Sequence, residues 1–191
     1  MKLIIGLGNI GKKFEHTRHN IGFDVIELLK KKLNISNVES NFDGIYFKHE
    51  NGIFFKPTTF MNLSGIAVKK IVDFYKLNYD DILIVMDDMS LPVGKIKLKS
   101  HGTSGGHKGL QNIIDNLNSN FLKRIKIGID KPKKKDEINH FVLSKPIGSE
   151  KEKINNSLKI AANVILDYLK YDFEFVLNNL NKYLNSNEYR L

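Results

Sequence analysis

Residues 2–11 read Lys2-Leu3-Ile4-Ile5-Gly6-Leu7-Gly8-Asn9-Ile10-Gly11. Lys2–Leu7 is short, apolar and ended by glycine, the pattern of a strand buried on both faces. The next period is helical: Ile21, Val25, Leu28, Leu29 and Leu33, with Asn20 in the N-cap position. A buried strand feeding an amphipathic helix opens a layered α/β fold. Gly6, Gly8 and Gly11 also match the dinucleotide fingerprint G-x-G-x-x-G. That motif needs a helix to start at once, so that the pyrophosphate meets its N-terminus. Lys12–His19 has no apolar period, so the glycines read as serving the geometry of a tight turn.

Working outward, 44–48 and 53–56 flank Asn51-Gly52, a strong hairpin signal. Ser64–Tyr75 reads as a helix capped by Ser64, and Ile82–Met86 as a second buried strand. Gly94–Lys99 alternates lysine with apolar residues, as an edge strand does; His107–Leu117 is a helix and Arg124–Ile129 another strand. Ser149–Leu169 and Tyr171–Tyr183 read as two C-terminal helices. With no repeat and no linker, residues 1–191 read as a single α/β domain with a mixed, twisted central sheet flanked by helices.

The chain has no cysteine, which excludes disulfides, thiolate metal sites and a Cys nucleophile. No apolar run approaches the about 18 residues of a membrane span, and the N-terminal run is too brief for a signal peptide. These features imply a cytoplasmic protein with no membrane partner, and nothing demands more than a monomer or an obligate protein partner.

The net charge of +9 is unevenly placed. Residues 89–135 carry eleven basic and two acidic residues, while the segments on either side are close to neutral. Compositional bias alone would spread the excess; a localised basic segment favours a polyanionic partner, nucleic acid foremost.

In α/β sheets, ligands collect beyond the carboxyl ends of the strands. The loops there hold Thr17-Arg18-His19-Asn20 together with Asn9, Asn62 and Asp87. An imidazole can act as a base near neutral pH, a carboxylate can orient it, and neutral amides can donate to a developing oxyanion. The competing reading makes His19 a pre-cap residue and the asparagines turn formers. Gly102-Thr103-Ser104-Gly105-Gly106 matches the nucleophile elbow G-x-S-x-G, with Asp130 and His140 downstream, though an edge strand is the wrong place for an elbow. His16/His19 and His101/His107 are not zinc sites by spacing alone. Asp87-Asp88 could hold magnesium, but such a pair is more often a strand-end cap or charge partner.

Read together, these segments resemble the bacterial peptidyl-tRNA hydrolase family over nearly the whole chain. The markers are K-L-I-I-G-L-G-N-I-G at the start, T-R-H-N at 17–20, K-P-T-T-F-M-N-L-S-G at 56–65 and D-D-M-S-L-P-V-G at 87–94. They continue with G-T-S-G-G-H-K-G-L at 102–110, R-I-K-I-G-I at 124–129 and F-V-L-S-K-P at 141–146. The resemblance implies a three-layer fold and hydrolysis of the ester joining a peptide to the 3′-terminal ribose of tRNA. It implies His19 as the base that activates water, Asp87 as its orienting carboxylate and Asn9 as the amide beside it. Phe14, Phe60, Met61 and Asn62 would line the site of the tRNA 3′ end and peptide. Lys99 and Lys126 would grip acceptor-stem phosphate. No cofactor and no metal are implied.

The chain departs from the family pattern in places. Ile10 stands where proline is usual. Lys108 replaces an asparagine that helps hold substrate and water, so an acceptor is lost and a cation gained. Lys126 replaces an arginine, which keeps the charge but loses bidentate geometry. Met86 and Ser90 replace frequent polar neighbours of the aspartate. Two other readings stay open at this point: a noncatalytic RNA-binding relative of the same fold, and a serine esterase using Ser104.

Overall fold

The computed structural model describes residues 1–185. One seven-stranded sheet runs through it, in the order β2-β3-β4-β1-β5-β7-β6. The strands are β1 (Lys2–Gly6), β2 (Glu39–Asn41), β3 (Gly44–His49), β4 (Gly52–Pro57), β5 (Ile82–Asp88), β6 (Ile96–Lys99) and β7 (Lys123–Gly128). The four central strands β4, β1, β5 and β7 are mutually parallel; β3 and β6 run antiparallel to them, and the edge strand β2 pairs antiparallel with β3. The mixed sheet expected from the hairpin is therefore present, and β6 is the edge strand its alternation indicated.

Helices cover both faces. On one, Ile4, Phe54, Val85 and Ile125 pack against α1 (Ile21–Lys32) and α5 (Gly148–Lys170). On the other, Ile5, Phe55, Ile84 and Met86 pack against α2 (Ser64–Tyr75) and α3 (Lys108–Leu117). Near-continuous apolar strands are what burial on both faces requires. The remaining helices are short: α4 (Ile138–Val142), α6 (Phe173–Asn178) and α7 (Leu180–Asn185).

The glycines of the first loop bring α1 against the end of β1. A Cβ on Gly22 would lie 2.2 Å from Leu7 N, and one on Gly6 would lie 2.3 Å from Gly22 O. Close approach accounts for Gly6 and Gly22, and Gly11 takes a positive φ of 113° that suits glycine. The close approach places the start of α1 directly beside the carboxyl ends of β1 and β5.

Several local expectations are corrected. Asn20 precedes α1, yet its side chain makes no cap hydrogen bond; it is engaged with Asn9 instead. Ser64 does not cap α2: its hydroxyl donates to Met61 O, and Asn112 Oδ1 of α3 accepts from Gly65 N. The hairpin turn is Glu50-Asn51, one residue earlier than Asn51-Gly52, because His49 pairs with Gly52. Asn51 Nδ2 donates to Leu169 O and Lys2 N donates to Asn51 O, which hold the turn to α5 and β1. The last predicted helix is two, α6 and α7, and α6 starts at Phe173 because Asp172 caps it through Phe175 N. Strand β2 and helix α4, of three and five residues, are too short to show a period in the sequence. Among the described residues no helix is long and apolar enough to cross a membrane.

Candidate active site

A single turn of 3-10 helix, Arg18–Asn20, sits at the carboxyl end of the sheet. Its three side chains diverge. Arg18 reaches Ser144 Oγ (2.6 Å) and Glu150 Oε2 (2.5 Å) and lies over the Phe141 ring, joining the turn to α4, to α5 and to the segment between them. Asn20 grips the peptide groups of Asn9 from both sides: Asn9 N donates to Asn20 Oδ1 and Asn20 Nδ2 donates to Asn9 O, each at 2.9 Å. His19 faces Asp87.

The contact defines the histidine's tautomer. His19 Nδ1 lies 2.9 Å from Asp87 Oδ1 and 3.1 Å from Oδ2, so this nitrogen carries the proton and donates it. The lone pair on Nε2 is left bare. Asp87, 3% exposed, is the penultimate residue of β5. Burial disfavours its charge, but the two imidazoles beside it outweigh burial and hold the carboxyl well below its ordinary range.

The second imidazole is His107, which spacing alone did not connect to the site. It caps α3: its Nδ1 accepts from Leu110 N at 3.2 Å. Nε2 must then carry the proton, and it lies 3.1 Å from Asp87 Oδ1. Both bonds require a neutral ring. The two rings stand 4.9 Å apart at 49°. A cap-and-carboxylate role needs the register between β5 and α3, which no sequence period conveys.

Ligand atoms of His19, Asp87 and His107 all lie within 4.8 Å of one another. The two ring nitrogens that could bind a cation already converge on a carboxylate oxygen, so an ion would have to displace that oxygen and two protons. Asp88 points elsewhere, to Lys126 Nζ (2.5 Å) and to Ser90. The adjacent carboxylates are thus divided between two partners and do not form a magnesium pair.

The other candidates distribute as follows. Asn9, 7% exposed, accepts from Met61 N through Oδ1, which leaves Nδ2 as its donor. Met61 is buried in the core beside Gly109. Phe60 (57% exposed) and Asn62 lie on the surface beside it, and Phe14 is half-buried in the loop after β1. A cleft of about 140 Å³ is lined by His19, Asp87, His107, Lys108, Lys126 and Asn139, among others. Lys99 is exposed, while Lys126 is held by Asp88. Ser104 Oγ donates to Gln111 Oε1 at 2.7 Å. No imidazole bonds to it among the described residues, so the elbow reading lacks its base.

The peptidyl-tRNA hydrolase family model matches residues 3–188. A peptidyl-tRNA hydrolase of Bacillus cytotoxicus is 40% identical over 185 residues, covering 95% of this chain and all of its own length. That of Clostridium perfringens is also 40% identical, with 95% and 97% covered. The crystal structure of peptidyl-tRNA hydrolase from Acinetobacter baumannii superposes with a TM-score of 0.87 at 32% identity, covering 95% of this chain and 94% of that one.

The chain belongs to the peptidyl-tRNA hydrolase family. The three-layer fold implied by the resemblance is the one observed. Lys97 of β6 stands opposite Lys126 of β7 beside the cleft, and the exposed Lys99 follows along β6.

Proposed function

We propose that this chain is a peptidyl-tRNA hydrolase that cuts the ester between a peptide's C-terminus and the 3′-terminal ribose of tRNA, with His19 as general base. The observation that carries the reading is the His19–Asp87 pair: Nδ1 is tied to the carboxylate and Nε2 is free at the cleft. A water bound there gives its proton to Nε2 while its oxygen attacks the ester carbonyl. Asp87 stabilises the imidazolium that results, as the aspartate of a triad does. Asn9 Nδ2 and the Lys108 ammonium are the nearby donors for the developing oxyanion. The ester C–O bond then breaks, and the imidazolium returns the proton to the ribose oxygen. An ester is activated enough that no metal or cofactor enters the scheme.

Binding follows from chemistry already described. Phe14, Phe60 and Asn62 seat the 3′ end and the last peptide residues, Met61 orients Asn9 from beneath, and Lys99 with Lys126 meets acceptor-stem phosphate. We read the protein as a single-domain monomer acting in the cytoplasm.

The test is release of peptide from N-acetyl-aminoacyl-tRNA by the purified protein, with unblocked aminoacyl-tRNA and His19→Ala as controls. Cleavage of the blocked substrate alone, lost in His19→Ala with tRNA binding retained, is the expected result. Normal turnover by His19→Ala overturns the base assignment. Salt-sensitive tRNA binding without cleavage by the wild type turns the reading to a noncatalytic RNA-binding relative.

A further inference from the structure

The catalytic cleft does not account for an aromatic pair at the opposite end of the basic edge. Phe121 is 68% exposed, and its ring stands 5.7 Å from that of His101, tilted by 30°. Phe121 lies just before β7 and His101 just after β6. Its neighbour Leu122 is fully buried in the core, so the chain is anchored while the phenyl ring is turned outward.

Arg124 holds the two rings together. It is buried, and its guanidinium donates to the carbonyls of Gly102 and Thr103 from one loop and of Asn120 and Leu122 from the other. Gly102 N also donates to Asn120 O. A buried cation bonded only to carbonyls is a costly device, and here it staples the loop of His101 to the loop of Phe121. Ser100 Oγ lies 2.9 Å from His101 Nδ1 and steadies the imidazole.

The charges nearby identify the partner. Leading from the cleft along β6 are Lys97 and Lys99, both exposed on the face of Lys126. Residues two apart on a strand share a face at a spacing of about 7 Å, which suits successive phosphates. Asp80 and Asp81 border Phe121 on its other side, with Lys123 paired to Asp80. A polyanion therefore approaches along the lysine side. Asp87 is in register with Ile127, and Phe121 precedes Ile127 by six residues, the first two of them ahead of β7, which puts it about 20 Å from the Asp87 carboxylate.

We infer that Phe121 and His101 form a stacking platform for the substrate's acceptor stem, taking the open face of its terminal base pair where the 3′ strand departs for the cleft. Every base presents a π-face, so such a platform serves tRNAs of any sequence. Lysines alone would bind phosphate without fixing where the helix ends. The inference rests on the proposed function.

The experiment compares N-acetyl-aminoacyl-tRNA with the same N-acetyl-aminoacyl ester on a short single-stranded CCA oligonucleotide, which has no duplex. Phe121→Leu keeps an apolar side chain and removes the ring; Phe121→Tyr restores it. Phe121→Leu is expected to raise KM for the tRNA ester about fivefold or more with kcat unchanged. KM for the oligonucleotide ester stays at the wild-type value, and Phe121→Tyr behaves as wild type. An unchanged KM for the tRNA ester, or an equal rise for both esters, overturns the platform. Failure of the wild type to cleave either ester overturns the hydrolase reading and the platform with it.

Discussion

His19 and His107 direct their ring N–H groups at the same oxygen of Asp87, at 2.9 and 3.1 Å. One carboxylate thus serves two imidazoles with different duties. His19 keeps a free lone pair, whereas His107 has none, because its other nitrogen accepts from Leu110 N. The first can take up a proton and the second cannot without undoing a helix cap.

Replacing Asp87 by Asn should leave the fold and tRNA binding intact. The amide keeps one accepting oxygen but sets a donor in place of Oδ2 against His19 Nδ1, and it carries no charge to support the imidazolium. Peptide release under saturating substrate should fall by about 10²–10⁴-fold. A fall of less than tenfold would mean that the carboxylate is not part of the chemistry.

The two duties of His107 separate in two variants. His107→Ala removes the cap and the bond to Asp87; it should cost about 1 kcal/mol in urea unfolding. Its kcat/KM should fall as well, because Asp87 loses a donor that fixes the carboxylate facing His19. His107→Asn keeps a good cap but is too short to reach the carboxylate. It should recover the stability and leave kcat/KM reduced.

Asn20 holds both peptide groups of Asn9, and Asn9 in turn accepts from Met61 N. Asn20→Ala leaves a buried N–H and a buried C=O unpaired, for about 2 kcal/mol of lost stability. With Asn9 released, kcat/KM should fall together with thermal stability. Asn20→Asp retains the acceptor but sets a carboxylate against Asn9 O, so it should rescue neither.

Burial pushes the Asp24 carboxyl up to about 6 from its ordinary 3.8, although the hydrogen bond and charge of His16 pull the other way. The folded state therefore keeps a proton that the unfolded chain has released. Stability from this group is full below about pH 4, is lost as pH rises through about 6, and is level above that. Asp24→Asn should raise stability by about 1–3 kcal/mol at pH 8 and make little difference at pH 4, as followed by thermal melts across that range.

The lysines of the basic edge should not behave alike. Lys99 is exposed, so Lys99→Ala should raise KM and reduce the salt slope of tRNA binding by about 1, with no change in melting temperature. Lys126 is bonded to Asp88, whose carboxyl it and Ser90 hold below its ordinary range against burial. Lys126→Ala strands that carboxylate and should lower stability by about 2 kcal/mol besides weakening binding. Equal melting temperatures for the two variants would show that the Asp88 pair carries no stability.

What the linear chain determined by itself is local. The apolar runs of β1 and β5, the 3.6-residue periods of α1 and α5 and the lysine alternation of β6 follow from neighbours a few residues apart. They therefore set the layered α/β class and the edge position of β6. The pairing of His19 with Asp87 was also within reach, since both lie at strand ends where loops converge. Tertiary structure alone decided the rest. Asn20 turned from helix cap to clamp because Asn9 was folded against it, and Ser64 ceded its cap to Asn112 of α3. Lys126 was taken by Asp88 and His107 was brought to Asp87. Hydrogen-bonding groups on short side chains choose among partners that the fold brings near, and those partners lie tens of residues away, beyond the reach of any period.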